Sequence, residues 1–151
     1  MSDCLFCKII KGDIPSIKVY EDEHVYAFMD IMPLTKGHTL LIPKTHCQDL
    51  FEMPEDVAAN LYKAAPKVAN AIKAAFNPVG MNTVNNNGAA VGQTVFHYHL
   101  HLIPRYDETD GLVVQWNSRQ AEFPLDVLQT ISASIQENLK WKEKAYDFLL
   151  S

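Results

Sequence analysis

The sequence predicts an α+β fold built on a mostly antiparallel sheet. Three observations carry that expectation. Short apolar stretches with strand-like character come in sequence-local groups, without regular alternation with helices. One long stretch with three- and four-residue apolar spacing interrupts them between Pro54 and Asn77. A second helical stretch follows from Pro124. The 151 residues suit one domain with a proper core, and 48% hydrophobic against 21% charged residues is ordinary globular composition.

Lys18-Val19-Tyr20-Glu21 and Val25-Tyr26-Ala27-Phe28-Met29 read as two short strands around an acidic turn at Asp22 and Glu23. After the loop from Pro33 to Gly37, His38-Thr39-Leu40-Leu41-Ile42 reads as a third strand, stopped by Pro43. Val57, Leu61, Ala64, Val68, Ile72 and Ala75 then form one apolar stripe on a helix. Pro54, Glu55 and Asp56 suit its first turn, and Asn77-Pro78 suits its stop. Pro66 lies inside this stretch, where the lost N–H is expected to kink or divide the helix. Met81-Asn82-Thr83-Val84-Asn85 reads as a fourth strand, followed by a small-residue loop from Asn86 to Gly92. The next strand carries three histidines and ends at Pro104. A last helix from Pro124 is expected to bury Leu125, Leu128, Ile131, Ile135 and Leu139.

Net charge is −5, from 13 basic and 18 acidic residues, and no basic run appears. That argues against a grip on long nucleic acid through its phosphates, but a few local donors are enough for one small nucleotide. The start, Met1-Ser2-Asp3-Cys4-Leu5-Phe6-Cys7, lacks a basic segment followed by an apolar stretch, and no apolar run approaches membrane length. Three cysteines make an odd count. A cytoplasmic protein with no membrane partner is expected, its thiols free or holding metal.

The most informative run is His97-Tyr98-His99-Leu100-His101. On a strand, alternate side chains share a face, so the three imidazoles would line up about 7 Å apart with Tyr98, Leu100 and Leu102 opposite. Imidazole titrates near neutral pH and serves as nucleophile, acid, base or metal ligand. Immediately upstream, Asn85 to Thr94 carries Gly88 and Gly92 among Asn and Thr side chains. Such a loop reads either as a simple turn or, beside three histidines, as a pocket whose N–H groups cradle a phosphate. Cys4 and Cys7 form a C-x2-C pair, half of a tetrahedral zinc site or a redox pair. Its place away from any strand-to-helix turn disfavours thioredoxin-like chemistry.

The stretch from Gly92 to Arg105 resembles the signature of the histidine triad (HIT) family, three histidines alternating with hydrophobic residues after Gly-Gln-Thr. The similarity extends through Phe28-Met29-Asp30-Ile31, Gly37 to Lys44, and Cys4 to Ile10, covering residues 4 to 106 in register. It implies a single HIT domain over 1–151, with a catalytic core over 4–106 and a helical extension over 107–151. The implied fold is a five-stranded sheet with two main helices, and the implied assembly is a homodimer. The implied activity is nucleotide hydrolysis or transfer through a covalent nucleotidyl-histidine. His99 would be the nucleophile. His101 would hydrogen-bond phosphoryl oxygens and help protonate the departing group. Thr94, with Gln93, would bind the α-phosphate or leaving group, and Asp30 would accept from the ribose hydroxyls. Phe28 and Ile31 would form a base slot or pack in the core. Asn86 matches a family position that holds Asn in the nucleoside phosphoramidase branch, which favours purine nucleoside 5′-phosphoramidates over dinucleoside polyphosphates. The resemblance also implies one structural Zn2+ per chain on Cys4, Cys7, His46 and His97; Cys47, next to His46 where strand or turn geometry points it elsewhere, reads as a packed thiol. Against these enzyme readings stands a zinc-stabilised nucleotide-binding scaffold, which would tolerate loss of His99. The tail beyond Tyr106, with Trp116 and Trp141, either shapes the leaving-group side or crosses a dimer seam.

Overall fold

A computed structural model describes the backbone of residues 3–150 and the side chains of residues 3–139. A short helix α1 (Leu5–Lys11) precedes strands β1 (Lys18–Glu21), β2 (Val25–Met29) and β3 (Thr39–Pro43). The long helix α2 (Glu55–Phe76), strands β4 (Gly80–Val84) and β5 (Leu100–Arg105), and helix α3 (Leu125–Leu150) follow. All five strands join one antiparallel sheet in the order β1-β2-β3-β5-β4. The chain divides into two compact units, the first up to Val113 and the second from Val114.

In the first unit the sheet is covered on both faces, and the sequence explains how. On β2 and β3, Val25, Ala27 and Leu41 join one cluster with Val57, Leu61, Ala64, Val68 and Ile72 of α2. Their neighbours Tyr26, Phe28, Leu40 and Ile42 point the other way and join Phe6 and Ile9 of α1. The period of two thus feeds two cores from one pair of strands. Both strands therefore read as continuous apolar runs, as strands buried on both sides do.

Three features of this unit differ from expectation. The α2 stripe is buried except for Ala75, which lies exposed in the last turn. Pro66 does not divide α2, which runs unbroken across it for 22 residues to a left-handed Asn77 cap. Burial of Ala64, Ala65 and Val68 around it offsets the one missing hydrogen bond. The helix α1 was not read from the sequence: seven residues are too few for a periodic signal. Its ends are nonetheless chemical. The Cys4 Sγ accepts from Cys7 N–H at the start, and Gly12 closes it at φ +85°.

The second unit carries α3, whose predicted apolar positions Leu125, Leu128, Ile131, Ile135 and Leu139 are exposed and not buried. Trp116 is exposed as well, and the Trp141 side chain lies outside the described residues.

Candidate active site and metal centre

Only His101 of the three motif histidines lies on β5; His97 and His99 sit on the irregular segment leading into it. The alternation persists all the same. Tyr98, Leu100 and Leu102 enter the α2-side core. The Phe6 ring meets His97 and His99 edge-on, at centroid distances of 5.9 and 5.3 Å. Tyr98 N–H donates to the Cys47 carbonyl at 2.8 Å, which anchors the segment between the two histidines.

The His97 and His99 rings are each held in one orientation by a backbone partner. His97 Nε2 donates to the Pro43 carbonyl at 2.8 Å. His99 Nδ1 donates to the His97 carbonyl at 2.7 Å. A carbonyl only accepts, so each of these nitrogens carries the proton. In the neutral rings the lone pairs then fall on His97 Nδ1 and His99 Nε2. One histidine thereby has its backbone oxygen orienting the next.

His97 Nδ1 points into a cluster with Cys4, Cys7 and His46, whose ligand atoms all lie within 4.8 Å of one another. The Cys4 Sγ–His97 Nδ1, Cys7 Sγ–His46 Nδ1 and Cys7 Sγ–His97 Nδ1 distances are 3.4, 3.4 and 3.6 Å. The two Nδ1 atoms are 3.2 Å apart. Around a tetrahedral zinc with the usual bond lengths, S–N edges would be about 3.5 Å and the N–N edge about 3.3 Å. The donor set fits. One lone pair on His97 Nδ1 cannot serve three neighbours at once, whereas a cation among them satisfies all four atoms. Burial holds the His97 imidazole down at about 4, which keeps it in the neutral, ligating form. Burial and the adjacent Cys4 push the Cys7 thiol up, a direction that a bound cation reverses. Cys47 is apart from this group, packed in the α2-side core, where burial raises its thiol to about 11.

A second cluster joins Asp30, His38 and His101. His38 Nε2 is 2.9 Å from His101 Nδ1, and Asp30 Oδ2 is 3.5 Å from His38 Nε2 and 3.8 Å from His101 Nδ1. The His99 and His101 ring centroids are 5.1 Å apart, so Asp30 and the two histidines share one site.

The loop before the histidines is braced largely by its own side chains. Gln93 is buried; its Oε1 accepts from Gly88 N–H at 2.8 Å, and its Nε2 donates to the carbonyls of Gln48 and Val95 at 2.7 and 3.2 Å. Its amide braces the loop from within. Asn86 Nδ2 donates weakly to Gly92 O at 3.4 Å, and Thr94 is exposed. Phe28 is packed against Phe6 with centroids 5.4 Å apart, the core alternative for that residue. Ile31 is 84% exposed beside Asp30.

Residues 11–108 match the HIT domain. The chain belongs to the HIT family. A crystal structure of a HIT family protein from Bacillus anthracis is 57% identical, with a TM-score of 0.88 over 90% of this chain and 96% of that one. A zinc-bound histidine triad family protein from Mycobacterium smegmatis is 35% identical, with a TM-score of 0.69 over 88% and 98% of the two chains. The adenosine 5′-monophosphoramidase HNT1 of Candida albicans is 38% identical over 142 residues, 91% of this chain and 92% of that protein.

Two residues of this HIT site escaped the sequence reading. Asn85 donates through Nδ2 to the His99 carbonyl at 3.0 Å, holding the segment from the β4 side. His38 carries a candidate place beside the triad in the sequence but no role, and in the structure its ring meets that of His101 with centroids 5.2 Å apart. Its only sequence signal is a histidine one residue before β3. The register that pairs Leu40 with His101 was needed to bring it into the site.

Burial, with His99 and His38 alongside, holds the His101 imidazole at about 4, against an ordinary value of 6.5. Below 6.5 the unfolded chain therefore takes up a proton that the folded HIT domain refuses. Stability from this group is complete above about pH 6.5 and falls as pH drops towards 4. Melting temperature should follow that course, with a shallower slope in His101→Gln. Identical slopes in both proteins would contradict it.

Proposed function

We propose that this HIT chain hydrolyses purine nucleoside 5′-phosphoramidates, AMP joined to an amine, through a covalent nucleotidyl-His99. The observation that carries the reading is the 2.7 Å bond from His99 Nδ1–H to the His97 carbonyl. It leaves the Nε2 lone pair as the free, oriented nucleophile on a ring only 5% exposed. His99 Nε2 attacks the α-phosphorus, the P–N bond breaks, and the departing nitrogen takes a proton to leave as the amine. Water then attacks the nucleotidyl-imidazole, releasing the nucleoside monophosphate and restoring His99. Charge on the non-bridging oxygens is met by preorganised donors, among which Thr94, Asn86 and the loop N–H groups are nearest in sequence. Asp30 retains acceptor capacity for the ribose hydroxyls, since its Oδ1 accepts one backbone N–H, from Met32 at 2.8 Å. The similarity to an adenosine 5′-monophosphoramidase supports the substrate class.

Zn2+ belongs to the reading as a structural ion on Cys4, Cys7, His46 and His97. Bound there, it supplies a crosslink between the start of α1 and the residue whose carbonyl orients His99.

The deciding assay follows AMP release from adenosine 5′-phosphoramidate, with diadenosine tetraphosphate run in parallel. Faster turnover of the phosphoramidate is expected. Faster turnover of the dinucleotide would transfer the assignment to polyphosphate hydrolysis. AMP binding with no turnover of either would leave a nucleotide-binding scaffold.

The reading includes a homodimer in the cytoplasm. The exposed apolar stripe of α3 supports a second copy, and three unpaired thiols fit a reducing compartment. Among the described residues no helix is long and apolar enough to cross a membrane. Sedimentation should give the mass of two chains, and a mass near one would overturn the dimer.

A further inference from the structure

We propose that His38 locks His101 into its Nε2–H tautomer, making His101 a neutral hydrogen-bond donor to the phosphoryl oxygens and not the acid that protonates the departing amine. The inference rests on the phosphoramidase reading and assigns one step within it.

The wiring starts at a backbone amide. Leu34 N–H donates to His38 Nδ1 at 3.1 Å, so that nitrogen bears a lone pair. The neutral ring must then carry its proton on Nε2, which lies 2.9 Å from His101 Nδ1. His101 Nδ1 accepts that proton's hydrogen bond and is a lone pair in turn. The proton of His101 therefore sits on Nε2, the ring edge left free for a ligand. Reversing the chain would set two N–H groups against each other at either the 3.1 Å or the 2.9 Å contact.

The same logic blocks a second proton on His101. An imidazolium there would aim Nδ1–H at His38 Nε2–H, and His38 cannot yield while Leu34 N–H occupies its other nitrogen. The amide is itself held firmly. Thr35 Oγ1 donates to the Pro104 carbonyl at 2.7 Å, and Tyr106 Oη donates to the Lys36 carbonyl at 2.7 Å. Gly111, at φ +77°, lies so close to the Leu34 carbonyl that a Cβ would be 2.4 Å from its oxygen. Burial also holds both rings below the ordinary imidazole range. Asp30 Oδ2 is too far from His101 Nδ1, at 3.8 Å, to draw the proton to that side.

The wiring also separates the two candidate metal clusters. In the cysteine cluster His97 offers a lone pair to its neighbours, as a metal requires. In the Asp30 cluster His38 offers an N–H, which a metal would have to displace at the expense of the Leu34 bond. The Asp30, His38 and His101 group is a hydrogen-bond relay and not a second metal site. Within the reaction, His99 Nε2 bonds to phosphorus as the P–N bond breaks, and the departing nitrogen draws its proton from solvent.

The test has a spectroscopic and a kinetic arm. In 15N-histidine-labelled wild type with AMP bound, His101 should show a protonated Nε2 and an unprotonated Nδ1. A proton on Nδ1, alone or together with Nε2, would overturn the proposal. In the second arm, His38→Leu and His38→Gln are compared on adenosine 5′-phosphoramidate and on the p-nitrophenyl ester of AMP, whose leaving group needs no proton. His38→Leu should lose about 10²-fold in kcat on both substrates, the scale of a misplaced oxyanion donor. His38→Gln, which keeps an N–H donor near Nε2, should recover most of it. A loss confined to the phosphoramidate would make His101 the acid and overturn the assignment, as would a Gln variant no better than Leu. If wild type hydrolyses neither compound, the phosphoramidase reading fails while the spectrum still decides the tautomer. The spectrum also decides it if the Leu variant does not fold.

Discussion

Alanine at position 99 should abolish phosphoramidate turnover, by about 10⁴-fold or more, while AMP still binds within a few-fold of wild type. The expectation follows from where the ring sits. His99 is the one motif histidine with a backbone acceptor on Nδ1 and with Nε2 left to the His101 side of the site. Removing it deletes the proposed nucleophile but leaves Asp30, the loop and His101 in place. Some stability goes too, since the His97 carbonyl loses its donor and Phe6 loses an edge contact; about 1–3 kcal/mol is expected. His99→Asn, which retains a donor near the Nδ1 position, should be equally inactive but closer to wild-type stability. Acid quenching of wild type during turnover should trap a chain heavier by one AMP, and either variant should show none. Retention of a tenth of the wild-type rate by His99→Ala would rule out the covalent route.

Removing metal should have the second large effect, this time on stability. Cys4 and Cys7 tie the start of α1 to His46 after β3 and to His97 before β5, segments up to 93 residues apart in the chain. An ion held at 100 times its dissociation constant contributes about 2.7 kcal/mol to the folded state. For a chain of this length that corresponds to about 5–10 °C in melting temperature. Metal analysis of the intact protein should give about one zinc per chain, and a strong chelator should lower the melting temperature by that margin. Cys4 and Cys7 should then become open to alkylation, while Cys47, buried and held near 11, stays unreactive until the chain unfolds. Full metal content in Cys4→Ala would refute the ligand set.

The fold was legible where residues interact with near neighbours in sequence. The strand over Val25 to Met29 and the helical stripe from Val57 to Ile72 depend on near neighbours in sequence, and both appear where expected. Pro66 shows the limit of that local logic. Its missing hydrogen bond was visible in the sequence, but the burial on either side that keeps α2 whole was not. Gln93 shows the same limit within the site. An amide side chain next to Thr94 reads as a ligand donor, and only the fold shows that Gly88, Gln48 and Val95 also bond to it.

The sequence by itself determined the chemistry available: three alternating histidines, a small-residue loop before them, and a C-x2-C pair far upstream. Those assignments need only side-chain identity and short spacing, which are local properties. Tertiary structure decided which nitrogen of each histidine is free, because that depends on partners distant in the chain. Pro43 lies 54 residues from His97, and His38 lies 63 residues from His101. An imidazole carries two nitrogens of nearly equal basicity, and only a fixed donor or acceptor distinguishes them. The fold supplies Pro43 O, which leaves His97 Nδ1 its lone pair, His97 O, which leaves His99 Nε2 its lone pair, and the His38 ring, which meets His101 at Nδ1.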